Sequence, residues 1–272
     1  MSPAATLDRL LPSALLKASA LLHVGAGGAW LAGVPWPLAL GPVVADHLLL
    51  TACGLWPRSA LLGPNWTHLP EPAAARGEVA ITIDDGPDTQ VTPAVLELLA
   101  EHQARATFFC VGERIARHPQ LARAIVAGGH CIENHTQHHY HHFSCLGPGA
   151  LRREIAQAQA VIAGASGSEP LFFRAPAGLR SPLLQPQLSE LGLRLASWTR
   201  RGFDTVNRDA AAVLAKLSRG LRAGDILLLH DGSAARTPEG APVILEVLGP
   251  LLRSCAAAGL RTVTLRAALA QG

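Results

Sequence analysis

The hydrophobic pattern divides the chain near residue 75. Before this point apolar residues continue almost without interruption, and no charged residue lies between Ala18 and Ala45. This stretch exceeds the roughly 20 apolar residues that a membrane-spanning helix needs. A second and shorter apolar run, HLLLTACGLWP, lies between Asp46 and Arg58. The N-terminal part of the chain is therefore expected to be hydrophobic and helical.

We expect this region to be a retained membrane anchor. The apolar segment is too long for a secretory signal, and no small-residue cleavage site follows it. Prolines at 35, 37 and 42 interrupt the segment, and Trp30 and Trp36 suit a membrane interface. A soluble hydrophobic helical cap is the alternative. Both one span and two spans fit the sequence.

The expected location is a membrane, namely the inner membrane of a bacterium. Arg9 and Lys17 precede the first apolar segment and favour a cytoplasmic N-terminus. One span would place the rest of the chain outside and two would return it to the cytoplasm, so the side is open. The pattern divides the chain into an anchor region at 1–69, a linker at 70–76 (PEPAAAR) and a folded domain at 77–272.

Seven short β-rich runs alternate with helix-like segments in the folded domain. The strands are predicted over Val79–Ile83, Ala106–Val111, His130–His135, Leu171–Pro176, Leu193–Trp198, Asp225–His230 and Leu260–Leu265. The helices are predicted over Pro93–His102, Glu113–Val126, Leu151–Ala163, Pro182–Leu191, Asp209–Leu221 and Val243–Ala258. This alternation indicates parallel β-α-β units of an α/β protein. Seven strands favour a barrel or near-barrel, with an open doubly wound sheet as the main alternative.

Polar residues stand where several predicted strands end. They are Asp84 with Asp85, His135, Arg174 and His230. The carboxyl ends of parallel strands carry the functional residues of such folds. The sequence therefore predicts a site at this edge of the sheet.

Asp84 and Asp85 begin the segment DDGPD, which turns at Gly86-Pro87. Adjacent carboxylates repel each other unless a cation compensates them. A turn separates their side chains, so that one can bind a metal while the other faces a substrate. The alternative is a solvated loop that uses aspartate only for its turn chemistry.

The segment HTQHH carries His135 and His139 four residues apart. On a helical turn this spacing places both imidazoles on one face, as a metal site with two histidines requires. A pairing of His138 with His142 and a histidine-rich surface loop without any ligand stay open as alternatives.

Arg174 and His230 each end an apolar strand. A buried arginine needs a carboxylate partner. A histidine whose pKa lies near 6.5 can donate a proton at neutral pH, so His230 is a candidate general acid. The alternative for His230 is a hydrogen-bonded core residue.

Composition narrows the choice of function. Hydrophobic residues make up 49% and charged residues 16% of the chain, which excludes bulk disorder. The net charge is only +3 and the basic residues are scattered, so no nucleic-acid partner is expected. Five cysteines without a CxxC pair favour neither a disulfide framework nor a thiolate zinc site. The sequence indicates no protein partner.

Five segments in this order, ITIDDGPD, HTQHH, RAPAG, WTRRGFD and LLLH, resemble the motifs of the polysaccharide deacetylases. This family is also called the NodB-homology domain or carbohydrate esterase family 4, and the resemblance covers about residues 77–268. It implies a distorted (β/α)7-type barrel. It also implies a hydrolase that acts on carbon–nitrogen bonds other than peptide bonds, here linear amides.

The resemblance also implies a divalent metal, zinc foremost, with Co²⁺ and Ni²⁺ as alternatives. By motif position Asp85, His135 and His139 would bind it. Asp84 would be the general base that activates the metal-bound water, and His230 would protonate the leaving amine.

Three further residues take supporting roles by motif position. Arg174 would orient Asp84 and balance its charge. Asp204 would support either the arginine or the catalytic histidine. The backbone N–H of Ala177 would stabilise the oxyanion.

The implied substrate is the N-acetyl amide of an aminosugar in a polysaccharide, an oligosaccharide or a lipid-linked glycan. Three positions depart from the family pattern. Ala177 replaces a usual aromatic residue, Arg201 a usual acid and Thr205 a usual tryptophan. These departures motivate an alternative, a membrane-tethered and catalytically silent carbohydrate-binding protein.

Overall fold

The computed structural model describes residues 13–270, and they begin with a helical hairpin. Helix α1 (Ala14–Leu31) and helix α2 (Trp36–Leu55) are joined by a short turn at 32–35. The uncharged stretch Ala18–Ala45 is therefore shared by two helices and does not form one continuous span. The break falls at Pro35, which precedes the first turn of α2 and has no N–H to continue α1.

Both helices are long enough and apolar enough to cross a membrane. Polar contacts join them near the base of the hairpin. Ser19 Oγ donates to Asp46 Oδ2 at 2.6 Å, and the Nε2 atoms of His23 and His47 are 3.2 Å apart. Beyond this polar cluster many large apolar side chains are exposed, among them Val24, Trp30, Leu31, Trp36, Leu38 and Val44.

The rest of the described chain is built on eight parallel strands. They are β1 (Glu78–Asp84), β2 (Ala106–Cys110), β3 (Cys131–Asn134), β4 (Phe172–Phe173), β5 (Arg194–Leu195), β6 (Arg200–Arg201), β7 (Ile226–His230) and β8 (Arg261–Thr262). Their order is β5-β4-β3-β2-β1-β7-β6, and β8 pairs with the start of β1.

The sheet curls on itself. Its two edge strands, β5 and β6, are consecutive parts of one extended segment, Arg194–Arg201. At the start of this segment Leu195 pairs with Phe173, and at its end Arg201 pairs with Leu228. The distorted barrel that the resemblance implied is confirmed, and the open doubly wound sheet is not formed.

Helices cover the outside of the sheet. They are α3 (Glu71–Ala75), α4 (Val91–Glu101), α5 (Gly112–Arg117), α6 (Pro119–Ala127), α7 (Pro148–Ser166), α8 (Leu184–Glu190), α9 (Ala210–Ser218), α10 (Val243–Ala257) and α11 (Leu265–Ala270). Five of the six predicted helices are found with ends shifted by a few residues. The prediction of one helix over Glu113–Val126 is wrong. The chain breaks at His118, since Pro119 disfavours helical geometry in the residue before it.

Alternation along β1 decides which side chains enter the barrel. Ile81 and Ile83 belong to the apolar cluster formed with α4 and α10. Ala80, Thr82 and Asp84 take the other face, because successive side chains of a strand point to opposite sides. A buried strand thus carries a carboxylate to the inner rim of the barrel.

The segment between hairpin and barrel is packed rather than extended. Trp66 forms a bridge with Ala196, next to β5. The predicted linker at 70–76 contains α3, and Ala73 is fully buried there. The division into an anchor region, a linker and a catalytic domain stays a prediction.

The end of α2 contacts a loop of the barrel. Arg180 N donates to Gly54 O at 3.2 Å. A methyl group at Gly54 would overlap the carbonyl oxygen of Arg180, and one at Gly178 would overlap Pro57. The hairpin and this loop are therefore in close backbone contact.

Candidate active site

The polar residues that end the strands converge on one cavity of about 210 Å³. This cavity lies at the carboxyl edge of β1, β3, β4 and β7, where the sequence predicted a site. Six of the eight predicted site residues line it, and the other two, Asp204 and Arg174, contact the lining residues His230 and Asp84. Its lining includes Asp84, Asp85, His135, His139, Ala177, Trp198, Arg201, Thr205, His230 and Ser233.

Arg174 holds Asp84 in place. Its Nη1 lies 2.7 Å from Asp84 Oδ1 and 2.8 Å from Thr82 Oγ1. The same guanidinium donates to the carbonyls of Ala196 and Ser197, so its donors are used on all sides. Burial lowers the pKa of Arg174, and the charge of Asp84 opposes this effect. These hydrogen bonds fix the orientation of the Asp84 carboxylate.

Asp85, His135 and His139 bring three ligand atoms within 4.8 Å of one another. The Nε2 atoms of the two histidines lie 3.1 and 3.2 Å from Asp85 Oδ1. His135 Nδ1 is 2.8 Å from the carbonyl oxygen of Arg174, which can only accept, so this nitrogen carries the proton. In a neutral His135 the Nε2 lone pair then faces a carboxylate oxygen. A cation between the two would satisfy both, so these residues fit a metal ion.

The local backbone corrects one interpretation. His135 and His139 do not share a helical turn. Thr136 and His139 have positive φ angles of 68° and 53°, and a loop folds the second imidazole back towards the first. Asn134 Oδ1 accepts from Thr136 N and Thr136 Oγ1 accepts from His139 N, both at 2.9 Å. The alternative pairing is not formed either, because His138 Nδ1 contacts Glu154 at 2.7 Å.

Asp85 is held as a carboxylate. Burial alone would raise its pKa, but the adjacent imidazoles of His135 and His139 lower it well below the ordinary value. Ser233 donates a further hydrogen bond to Asp85 Oδ2. The Asp85 side chain is therefore a charged carboxylate whose orientation is fixed.

His230 is paired with Asp204. Its Nδ1 lies 2.9 Å from Asp204 Oδ1, and its backbone N–H donates to Oδ2 at 2.7 Å. Of the two supporting roles left open for Asp204, the structure shows contact with the histidine. Burial alone would lower the pKa of His230, but the bond to Asp204 and the surrounding carboxylates raise it above 6.5. The contact with Asp204 thus favours the protonated form of His230, whose ring lines the cavity.

The three positions that depart from the family pattern all lie at the cavity. Ala177 belongs to the short turn Pro176–Gly178 and has a φ of 54°. Thr205 and Arg201 line the same cavity. The guanidinium of Arg201 stacks over the ring of Phe203 at 5.1 Å.

Sequence reasoning missed two groups beside His230. Asp231 is fully buried, accepts a hydrogen bond from Thr92 Oγ1 at 2.5 Å, and has its pKa raised to about 7 by burial. Ser233 contacts Asp85, as described above. Both stand in HDGS, directly after the strand-ending histidine, and this adjacency was the available signal.

The site and the fold define an amide hydrolase built on a distorted parallel barrel. A family model for polysaccharide deacetylase matches residues 72–196. A peptidoglycan-N-acetylglucosamine deacetylase of Bacillus cereus is 35% identical over 161 residues, covering 58% of this chain and 75% of the relative. A chitooligosaccharide deacetylase of Sinorhizobium fredii is 34% identical over 165 residues, covering 60% and 76%. The chain belongs to the polysaccharide deacetylase family, carbohydrate esterase family 4.

A solved structure agrees with this assignment. A family 4 carbohydrate esterase from Streptomyces lividans, in complex with acetate, superposes with a TM-score of 0.62. It is 32% identical, and the match covers 68% of this chain and 91% of that one. The chain is therefore a hydrolase of carbon–nitrogen bonds other than peptide bonds, of the carbohydrate deacetylase type.

Proposed function

We propose that this protein hydrolyses the N-acetyl amide of an aminosugar with the help of a divalent metal. The observation that carries the proposal is the convergence of five groups on one cavity: Asp84, Asp85, His135, His139 and His230. They supply a fixed carboxylate, a set of three ligands and a proton donor, which amide hydrolysis requires together.

Asp85, His135 and His139 would hold the metal. Two imidazoles and one carboxylate, with positions left for water, are the ligands of many hydrolytic zinc sites, so zinc is proposed first. Co²⁺ and Ni²⁺ are the alternatives. When bound, such an ion supplies Lewis-acid chemistry that polarises a water molecule and the amide carbonyl.

Asp84 is the proposed general base. It takes a proton from water as the water oxygen bonds to the carbonyl carbon, and Arg174 keeps the carboxylate oriented. The backbone N–H of Ala177 is the proposed donor to the oxygen that becomes negative.

His230 completes the reaction as the proposed general acid. Its Nε2 gives a proton to the amide nitrogen as the carbon–nitrogen bond breaks, and Asp204 stabilises the charged imidazole. The products are acetate and a free amine. One proton is taken up by Asp84 and one is given by His230, so the protons balance.

We further propose that the division of the chain has a functional meaning. Residues 1–69 attach the protein to a membrane, residues 70–76 link the two parts, and residues 77–272 form the catalytic domain.

The apolar part of α1 beyond the polar cluster, Val24–Leu31, is about 12 Å long at 1.5 Å per residue. The hydrocarbon core is about 30 Å thick. The hairpin is therefore proposed to insert into one leaflet, with the barrel at the surface.

A hairpin returns the chain to the side on which it began. Lys17, near the start of α1, favours the cytoplasmic side for both ends. The proposed substrates are an N-acetylated polysaccharide, an oligosaccharide or a lipid-linked aminosugar. A cytoplasmic catalytic domain at the inner membrane of a bacterium would favour the last of these.

The test uses Asp84→Asn and His230→Gln in the purified, zinc-loaded full chain. Each should reduce acetate release from chitooligosaccharide and from a lipid-linked aminosugar by roughly 100- to 10,000-fold, the usual contribution of a general acid or base. Metal content should stay near the wild-type value, because neither residue is among the three proposed ligands. Glu239→Gln, an exposed carboxylate, is the control and should keep full activity.

Two outcomes would contradict the proposal. Full activity in both variants would remove the proposed roles of Asp84 and His230. A metal-loaded wild type that binds these glycans and releases no acetate would favour the alternative, a silent carbohydrate-binding protein, which Ala177, Arg201 and Thr205 motivate.

A further inference from the structure

A second and larger cleft lies next to the catalytic cavity. Its volume is about 720 Å³, and it lies between the end of the hairpin, the segment Trp198–Phe203 and helix α9. The residues that matter here are Trp56, Arg58, Trp198, Arg201, Lys216 and Arg219. Trp198 and Arg201 line both this cleft and the catalytic cavity, so the two spaces adjoin.

The cleft is cationic. Five arginine and lysine side chains line it and no carboxylate does. Arg200 is neutralised by Asp225 at 2.6 Å. Within residues 13–270, the cationic nitrogens of Arg58, Arg201, Lys216 and Arg219 form no ion pair with a carboxylate. Like charges gathered without counter-charges repel one another, which an anionic ligand would relieve.

Arg201 carries a second sign of a missing partner. Its Nε is buried and has no hydrogen-bond acceptor, although buried polar atoms are rarely left unpaired. The guanidinium lies over the rings of Trp198 and Phe203, and Lys216 Nζ lies 5.2 Å from the Phe203 centroid. The aromatic rings contact both cations, and Arg201 lies where the two spaces adjoin.

The catalytic cavity is too small to hold a whole substrate, so the substrate must extend into a second space. The catalytic cavity of about 210 Å³ is smaller than a typical ligand pocket of roughly 300–1,000 Å³. It can take the acyl group and part of one sugar, so the rest of the substrate must lie outside. The adjoining cationic cleft is the space beside it.

We propose that this cleft binds a phosphate group attached to the anomeric carbon of the aminosugar. The inference rests on the proposed function. In a 2-acetamido sugar the anomeric carbon is bonded directly to the carbon that carries the acetamido group. The carbon that carries the phosphate is therefore one ring bond from the carbon that carries the acetamido nitrogen, which matches two adjoining spaces that share Trp198 and Arg201.

The place of the cleft indicates the source of such a ligand. Trp56 and Arg58 directly follow α2, so the cleft opens at the base of the apolar hairpin. At a membrane surface the phosphate of a prenyl-linked sugar lies at this level, with its chain in the bilayer. A water-soluble sugar phosphate has the same chemistry, so the experiment must separate these two sources.

The experiment compares three substrates on the zinc-loaded full chain in lipid nanodiscs. They are N-acetylglucosamine linked through phosphate to a short prenyl chain, N-acetylglucosamine 1-phosphate and neutral chitooligosaccharide. Acetate release gives kcat/KM for each, and calorimetry gives the Kd of the 1-phosphate. The cleft variant is Lys216→Gln/Arg219→Gln, and the matched control Arg123→Gln/Arg253→Gln removes two exposed cations elsewhere.

For wild type we expect kcat/KM to be at least about tenfold higher with phosphate-bearing substrates than with the neutral substrate. This ratio corresponds to about 1.4 kcal/mol. The cleft variant should lose this preference and bind the 1-phosphate at least about tenfold more weakly. The control should keep both. Higher kcat/KM for the prenyl-linked substrate assigns the lipid source, and equal values assign a soluble sugar phosphate.

Two results would overturn the inference while leaving the proposed function intact. One is equal use of phosphate-bearing and neutral substrates by wild type. The other is a cleft variant that keeps the wild-type preference and Kd. If no substrate releases acetate, the proposed function fails, and the calorimetric Kd still decides whether Lys216 and Arg219 bind phosphate.

Discussion

Asp204 shows what a single residue's sequence position leaves open. Its motif suggested support for either an arginine or a histidine, and the two candidates stand on different strands. The structure pairs Asp204 with His230, 26 positions away, and pairs Arg174 with Asp84. Both choices depend on where strands meet in the barrel, which no local pattern records.

This pairing predicts a shift in pH dependence. A general acid must carry its proton, so activity falls as pH rises through the pKa of His230. Asp204→Asn removes the charge that holds this pKa above 6.5. The alkaline limb of the kcat/KM profile should therefore move to lower pH.

The measurement is a pH–rate profile of acetate release for both proteins. Glu239→Gln, which removes an exposed charge outside the cavity, should leave the limb in place. An alkaline limb that Asp204→Asn does not move would show that His230 does not titrate as the acid.

At the scale of elements, apolar periodicity predicted most strands and helices, since burial and pattern coincide there. The pattern-based prediction failed where a loop, and not a helix or strand, brings two side chains together. His135 and His139 meet through two residues with positive φ, while their spacing suggested a helical turn. The single helix expected over Glu113–Val126 divides at Pro119, a signal that was present and was outweighed by the continuous pattern.

The hairpin gives a prediction at this scale. Leu31 and Leu38 lie near its tip and are 82% and 68% exposed. Leu31→Glu/Leu38→Glu would place two charges in the hydrocarbon, each costing a few kcal/mol. The protein should lose liposome binding in flotation, while its Tm should change little because both side chains are exposed.

Val126→Glu on α6 is the control, since it adds a charge to an exposed valine of the barrel. It should leave flotation unchanged. Continued flotation of the tip variant would exclude insertion of the hairpin tip, and failure of the wild type to float would favour the soluble helical cap.

At the scale of the whole molecule, closure of the barrel could not be decided from the sequence. The number of predicted strands favoured a barrel, but an open sheet remained the main alternative. One segment, Arg194–Arg201, closes the barrel, because its start pairs with β4 and its end pairs with β7. The carboxyl edge was nevertheless predictable as the place of the site, because parallel strands bring their ends together in both architectures.

The proposed metal should stabilise the whole molecule. A ligand at 100 times its Kd adds about 2.7 kcal/mol to the free energy of unfolding. For a chain of this size that corresponds to roughly 5–10 °C in Tm. Chelation should abolish activity and lower Tm, and added Zn²⁺, Co²⁺ or Ni²⁺ should restore both.

His139→Ala should not respond to added metal in calorimetry, because one of the three ligands is missing. His68→Ala, an exposed histidine, should respond as wild type does. An equal rise in Tm for the His139 variant would place the metal elsewhere.

The contact between Gly54 and Arg180 has a practical consequence for anyone who wishes to crystallise this enzyme. Arg180 and Gly178 belong to the loop that also carries Ala177, so the end of the hairpin braces the backbone proposed to receive the oxyanion. Deleting the hydrophobic hairpin to gain solubility would also remove its contact with this loop. If a shortened protein bound metal but turned over slowly, the cause would be the altered loop around Ala177, and the roles proposed for the catalytic side chains would still stand.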